Sequence, residues 1–331
     1  MRTSFIHAGD VRLGYRDPEQ PDSFAQTAGR FQFAVDLALE QRAELVLFAG
    51  NLFDSPAVDP ASLQVALRGL LRLREKGIPA VAIRGSRDAG GSGSAMSWYD
   101  LLTQENLLTM LDAHPAGGQL KLVPCDRRAG AGGYLDVGRT RLFGLGYSGL
   151  MTGLLLGELA QAIGQLDNRE TDFRIVLLHA GLEQAAPGDG PKLSYSDLLG
   201  LQRLVHYVAL GGSDCRYETD GWAYNPGVRG VWHVAADTAV TPKFVARHVA
   251  FPNQKPIWPP PEPEPQSRAA LELEVQEELL SGPGGSDSER RARREVMALL
   301  RALLHQNADP EEVLERLLNV AAGERAARAP G

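Results

Sequence analysis

Cysteine is nearly missing from this chain. Two residues in 331, Cys125 and Cys215, cannot make a disulfide framework, and neither sits in a CxxC spacing of the kind that holds zinc or runs redox chemistry. One disulfide between them is conceivable, but reduced thiols in a cytoplasmic protein are the expected state. Long apolar runs are missing too. No stretch approaches the roughly 18 residues of a membrane-spanning helix, so no membrane partner is expected. The N-terminus enters a strand almost at once and lacks the regions of a secretory signal. No internal repeat is visible. The Gly-rich stretch at 90–93 lacks the Lys and Ser/Thr of a P-loop and reads as a plain loop. A basic surplus is absent as well, the formal net charge being -7. That excess is concentrated at 262–280, where six Glu face one basic residue, Arg268. It therefore argues only weakly against nucleic-acid binding by the front of the chain.

What remains is an ordinary soluble composition, 44% hydrophobic and 23% charged, long enough for one large domain plus an appendage or for two domains. Strand-like apolar runs alternate with helical patterns. Ser4 to His7 reads as a strand, and 27–42 as a helix with Phe31, Ala34, Val35, Ala38 and Leu39 on one face. Glu44 to Ala49 is a continuous apolar run suited to a strand buried on both sides. Asp59 or Ser62 can cap a second helix that Gly77 and Pro79 end. Ala80 to Ile83 completes a strand–helix–strand–helix–strand series, the pattern of parallel βαβ units. Leu120 to Val123 and Thr140 to Gly144 look like strands, and 150–166 like a helix. Further strands are expected at Arg174 to His179 and Tyr207 to Leu210, with a short helix near 195–202 between them. Gly230 to Ala235 and Phe244 to Phe251, with no helix between, read as antiparallel strands.

Trp258 to Pro265 marks a boundary, because proline at that density favours an extended spacer. The division expected is a main domain over 1–258, a Pro-rich linker over 259–266 and a helical tail over 267–331. In the tail, Asp309 and Pro310 look like the N-cap and first residue of a last helix. The apolar stripe Val296, Leu299, Leu300, Leu303 has the spacing of a helix that docks in a groove. Packing on the chain's own core is the alternative reading of that stripe.

Five strand ends deliver polar groups to one edge. They are His7, Asp10 and Arg12 after the first, Asn51 and Asp54 after the second, and Arg84 to Asp88 after the third. His179 ends the fourth, and Gly211 to Asp214 the fifth. In α/β proteins, ligands bind in the crevice outside the carboxyl ends of strands. At this point the chain resembles the calcineurin-like metallophosphoesterases, and most of all the SbcD/YhaO-type DNA-repair exonucleases. Those proteins carry strand–HxADxHLG, GDxxD, GNHD, a later strand-end His and GHxH in this order. The Tyr224-Asn225-Pro226-Gly227 segment is similar to the family's Tyr-x-Pro-Gly. The resemblance covers about residues 3–252 and implies an α/β fold, a four-layer αββα sandwich with a C-terminal helical tail added here.

It also implies two-metal phosphoester hydrolysis, in which a bridging carboxylate relieves repulsion between the ions. Several residues depart from that pattern. Arg12 and Arg87 stand where the family has His, Asn51 where it has the bridging Asp, Ser86 where it has Asn, and Gly212 and Asp214 at the two His of GHxH. An always-protonated guanidinium offers no lone pair to a metal. The expectation is a degenerate centre without a metal cofactor, a hydrolase fold used for binding or scaffolding. Asp10, Asn51, His179 and Asp214 are the candidate metal positions, and Arg87 and Asp88 the candidate catalytic ones. Arg12 and Arg87 are candidate phosphate binders, with structural ion pairs to Asp10, Asp88 or Asp214 as the bland alternative. Asp10 is read as one half of an ion pair with Arg12. His179 has a bland reading too, as a hydrogen-bonded buried residue, and His206, His233 and His248 are read as structural. The alternative for the whole site is a working phosphoesterase with a reduced Mn site on Asp10, His179 and Asp214. The resemblance names an SMC-like ATPase (SbcC/YhaN type) as partner for the tail and DNA as a ligand. Nothing in the sequence excludes a homodimer.

Overall fold

The first strand sets the frame, because its two faces bury into different layers. In β1 (Arg2–Ala8), Ile6 and Ala8 face a helical layer while Phe5 packs between two sheets, the period-two alternation of a strand buried on both sides. The computed structural model describes residues 2–88, 97–116, 119–125, 131–183, 192–237 and 243–252. The Gly-rich stretch at 90–93, the linker, the tail and the stripe Val296, Leu299, Leu300, Leu303 lie outside them.

In chain order β1 is followed by α1 (Ser23–Glu40), β2 (Leu45–Phe48), α2 (Pro60–Glu75), β3 (Ala80–Ala82) and α3 (Trp98–Gln104). Next come β4 (Thr109–Leu111), β5 (His114–Ala116), β6 (Gln119–Lys121), β7 (Ala131–Gly132), β8 (Tyr134–Val137) and β9 (Thr140–Leu145). Then α4 (Thr152–Gln165), β10 (Phe173–His179), β11 (Gly181–Leu182), β12 (Lys192–Leu193) and α5 (Tyr195–Leu199). The last elements are β13 (Tyr207–Gly211), β14 (Tyr217–Thr219), β15 (Ala223–Asn225), β16 (Gly230–Asp237) and β17 (Lys243–Ala250).

One sheet has the order β17-β16-β1-β2-β3-β4-β7 and the other β14-β15-β13-β10-β9-β8. Both are mixed. β1 pairs in parallel with β2 and antiparallel with β16, and β10 pairs in parallel with β9 and β13. β16 and β17 form the expected antiparallel pair. Three apolar clusters define four layers. α1, α2 and α3 cover the outer face of the first sheet through Phe31, Leu67, Leu70 and Leu102. Phe5, Leu47, Val81, Leu142, Phe173, Ile175 and Tyr207 fill the space between the sheets. α4 and α5 cover the second sheet through Leu156, Leu159, Ile163 and Leu198. The architecture is the αββα sandwich.

Local signals act as the sequence suggests. Asp59, not Ser62, is the N-cap of α2, its carboxylate accepting from the amides of Ala61 and Ser62. Pro60 follows at the first helical position, where its missing N–H costs nothing. The expected strand at Leu120 to Val123 is shorter and shifted, at Gln119–Lys121, paired only with β5 in a small hairpin. The expected helix at 150–166 begins with a 3-10 turn at Gly149–Met151 before α4.

Candidate functional site

The loops after β1 and β2 are joined backbone to backbone. The amides of Arg12 and Leu13 donate to the carbonyls of Asn51 and Leu52 at 2.8 Å each, and that of Asp54 returns to Leu13 at 2.9 Å. This zipper holds Asp10, Arg12 and Asn51 at φ of 50°, 54° and 53°. Left-handed backbone of that kind is costly for residues with a side chain and gathers at functional sites. Gly50 (φ 88°) and Gly85 keep the loops close. A Cβ on Gly50 would lie 2.3 Å from His179 Nδ1, and one on Gly85 2.2 Å from Asn51 Oδ1.

Asp10 is buried. Its Oδ1 accepts from Asn51 Nδ2 at 2.7 Å and its Oδ2 from the amide of Gly212 at 2.7 Å. Asn51, also buried, accepts through Oδ1 from the amide of Arg87 at 2.8 Å. A carboxylate only accepts and a backbone amide only donates, so these partners fix which end of the Asn51 amide is nitrogen. Arg12 does not pair with Asp10. Its Nη2 donates to Asp214 Oδ1 at 2.8 Å, while its Nε is buried without an acceptor. Arg87 lies 3.1 Å from Asp54 through Nη1, not against Asp10, Asp88 or Asp214. Asp88 is buried and clamps two loops from behind, accepting from the amides of Phe53 and Gly85. Burial raises its carboxyl above the ordinary range, more than those amide bonds lower it.

His179 is buried at the end of β10, with Nδ1 at 2.9 Å from the carbonyl of Ala49. A carbonyl accepts, so Nδ1 is the donor in this bond and Nε2 lies outside it. His7 is not at this edge. Being on the Phe5 face of β1, it points between the sheets, where Nε2 donates to the carbonyl of Leu210 and Nδ1 accepts from the Tyr207 hydroxyl. Complete burial holds its pKa down at about 3. His206, His233 and His248 bond to the Arg174 amide, the Ser4 hydroxyl and the Pro226 carbonyl. Asn225 Nδ2 donates to the carbonyls of Ser213 and Cys215, tying down the loop that carries Asp214. Neither Cys125 nor Cys215 is joined in a disulfide.

The donor set does not suit a pair of divalent ions. The position between the first two loops holds an amide whose N–H groups face Asp10, and a cation would have to displace them. Both Asp10 oxygens are already accepting. Among the described residues no three His, Cys, Asp or Glu gather in a metal-binding group. The strand-end pattern did not reveal Arg30, on α1, whose electrostatic neighbours include Arg12, Asp214, Arg229 and Asp10. A lone Arg between Gly29 and Phe31 in a helical pattern carries no signal of its own.

Among the described residues no helix is long and apolar enough to cross a membrane. No family model matches the chain. It is 33% identical over 107 residues to the DNA double-strand break repair protein Mre11 of Archaeoglobus fulgidus, covering 32% of this chain and 24% of that one. It is 24% identical over 230 residues to Mre11 of Sulfurisphaera tokodaii, covering 66% of this chain and 51% of that one. The chain thus spans between about a quarter and a half of the length of these curated relatives. Among solved structures, the calcineurin-like phosphoesterase YfkN of Bacillus subtilis aligns with a TM-score of 0.45 at 11% identity, covering 76% of this chain and 91% of that one. A dimetal phosphatase from Danio rerio aligns with a TM-score of 0.41 at 12% identity, covering 76% and 96%. Over the matched segments the chain is thus similar to Mre11 proteins, which are named for DNA double-strand break repair.

Proposed function

We propose that this chain is a catalytically degenerate relative of the metallophosphoesterase DNA-repair nucleases that serves DNA metabolism as a binding or scaffold subunit. The observation that carries the reading is the Asn51 amide donating to Asp10 at 2.7 Å. Two-metal hydrolysis needs negative charge between the ions, and a neutral amide presenting N–H groups offers none. Arg12, bound to Asp214, adds a positive charge where the family pattern has an imidazole. The site's residues fit anion recognition better, because guanidinium forks suit phosphate oxygens.

The test is metal analysis of the purified chain, with a nuclease assay in Mn on single- and double-stranded DNA. The expected result is sub-stoichiometric Mn and no turnover that Asp10→Ala removes. Stoichiometric Mn together with turnover abolished by Asp10→Ala would overturn the reading. The partner side of the proposal is an SMC-like ATPase engaged through the tail. Support for it is the Pro-rich linker and the stripe Val296, Leu299, Leu300, Leu303 in the sequence. Truncation at about residue 262 should leave a soluble core that no longer retains the ATPase in a pull-down.

A second reading rests on His179. Its Nδ1–H donation to Ala49 leaves Nε2 outside that bond, as a ligand of one Mn ion shared with Asp10 and Asp214 would require. That site must release Asp214 from Arg12 first. Under this reading Mn binding strengthens in Arg12→Gln; under the first it stays unmeasurable.

A further inference from the structure

A shallow pocket opens beside the loop that carries Asp10, between α1 and the start of β16. Ala8, Gly9 and Val11 line one wall, Arg30 and Phe33 another, and Gly227, Val228, Gly230, Val231 and Phe251 the rest. Arg30 is partly buried there, and no hydrogen bond or ion pair joins it to the described residues. A guanidinium stays protonated and has five donors to satisfy. Withdrawing it from water without an acceptor is costly, and two further cations deepen the problem. Burial first, then the charge of Arg12 and later that of Arg229, lowers the Arg30 pKa, with Asp214 and Asp10 opposing only in part.

Arg12 supplies a second, independent observation. Its Nη2 is engaged by Asp214, yet its Nε is buried with no acceptor. Arg12 is also the largest charge acting on Arg30, so the two guanidinium groups make one positive field that an oxyanion held by Arg30 would answer. The apolar floor from Ala8, Val11, Val231 and Phe251 lowers the local dielectric and strengthens a charged contact.

We propose that this pocket is an anion subsite in which Arg30 holds a phosphate-type oxyanion, with Arg12 adding its charge from behind and exposed Arg229 adding charge at the rim. A tetrahedral phosphate can face two or three guanidinium forks, whereas a planar carboxylate is saturated by one. The subsite goes beyond the function proposed above, since it requires neither a metal nor an inactive centre.

The experiment is calorimetric titration of the full chain in EDTA, with inorganic phosphate in one arm and a short oligonucleotide in the other, alongside melting curves with and without phosphate. EDTA removes any route through a bound metal, so the outcome is independent of whether the adjoining site hydrolyses. Wild type should bind phosphate and melt higher in its presence. Arg30→Gln should weaken phosphate binding at least about tenfold, as loss of charge-assisted hydrogen bonds does, and Arg229→Gln by less. In phosphate-free buffer Arg30→Gln should melt at or above the wild-type temperature, because an unpaired charge has been removed; an arginine that served only structure would lower it. Oligonucleotide binding that also depends on Arg30 assigns the oxyanion to a nucleic-acid backbone. Phosphate binding without it assigns a free small anion. Equal phosphate affinity in wild type and Arg30→Gln overturns the proposal. So does a destabilised Arg30→Gln together with an Arg229→Gln that binds phosphate as wild type does.

Discussion

Asn51 is held at both ends of its amide, by the Arg87 backbone and by Asp10. Replacing it with Asp is isosteric but puts two buried carboxylates against each other. Like charges so close cannot both ionise, and one carboxyl must be pushed well up. Asn51→Asp should therefore cost about 2–4 kcal/mol at pH 7 in EDTA, in the range of a broken buried polar pair. A raised folded-state carboxyl makes stability recover as pH falls, so the gap to wild type should narrow at pH 5. Urea unfolding at the two pH values checks this, and an unchanged gap would mean that Asp10 and the new carboxylate do not share one proton. The sequence pointed to these residues because each follows an apolar run that stops abruptly. It could not reveal their pairings. Arg12 meets Asp214, and Asp10 meets the Gly212 amide, across 202 positions in each case, a separation at which spacing carries no information. His7 was open to a better reading: it shares a strand face with Phe5, and that face points between the sheets.

At the scale of elements, helices were the most legible because their apolar spacing is long and regular, and their glycines the least. Gly69 in α2 and Gly157 in α4 look alike in sequence. A Cβ on Gly69 would come 2.3 Å from Phe31 Cε1, in a fully buried contact between α1 and α2, whereas one on Gly157 meets nothing within 4 Å. Alanine favours a helix over glycine by about 1 kcal/mol. Gly157→Ala should gain about 0.5–1 kcal/mol, since nothing opposes that preference. Gly69→Ala receives the same gain but must displace the Phe31 ring, and overpacking of a filled core costs about 1–3 kcal/mol. Its net effect should be destabilising. Denaturant midpoints of the two variants should move in opposite directions; a rise in both would show that α1 and α2 can separate to admit a methyl group. Asp59→Ala, which removes the α2 cap, should cost about 1 kcal/mol by the same measurement.

The whole molecule depends on how the two sheets are joined, and His7 is a polar join inside an apolar seam. It links β1 to Tyr207 and to the carbonyl of Leu210, both in β13 of the other sheet, with the Tyr207 ring edge-on to it in the seam that also holds Phe5, Phe173 and Tyr224. The neutral ring satisfies both partners, whereas a protonated Nδ1 would still reach the hydroxyl but leave an uncompensated charge in the seam. Folding holds the His7 pKa down at about 3 by burial, against 6.5 for the free side chain. Burial holds His206, stacked on Phe173, down to about 4 and lowers His233 and His248 as well. Between the folded and unfolded values the unfolded chain binds more protons. The stability these histidines contribute is therefore complete above about pH 6.5 and is lost as pH falls toward 3. Each fully titrating group gives a slope of up to about 1.4 kcal/mol per pH unit within that window. Asp88 acts in the opposite sense, since burial raises its carboxyl, so the raw curve mixes both. His7→Asn separates them: it removes one titrating group while leaving a neutral polar side chain in the seam. The variant should be less stable than wild type at pH 7, and its stability should fall less steeply between pH 6.5 and 4. Unfolding free energies across that range decide the matter, and parallel curves for variant and wild type would mean that His7 takes up its proton without parting the sheets.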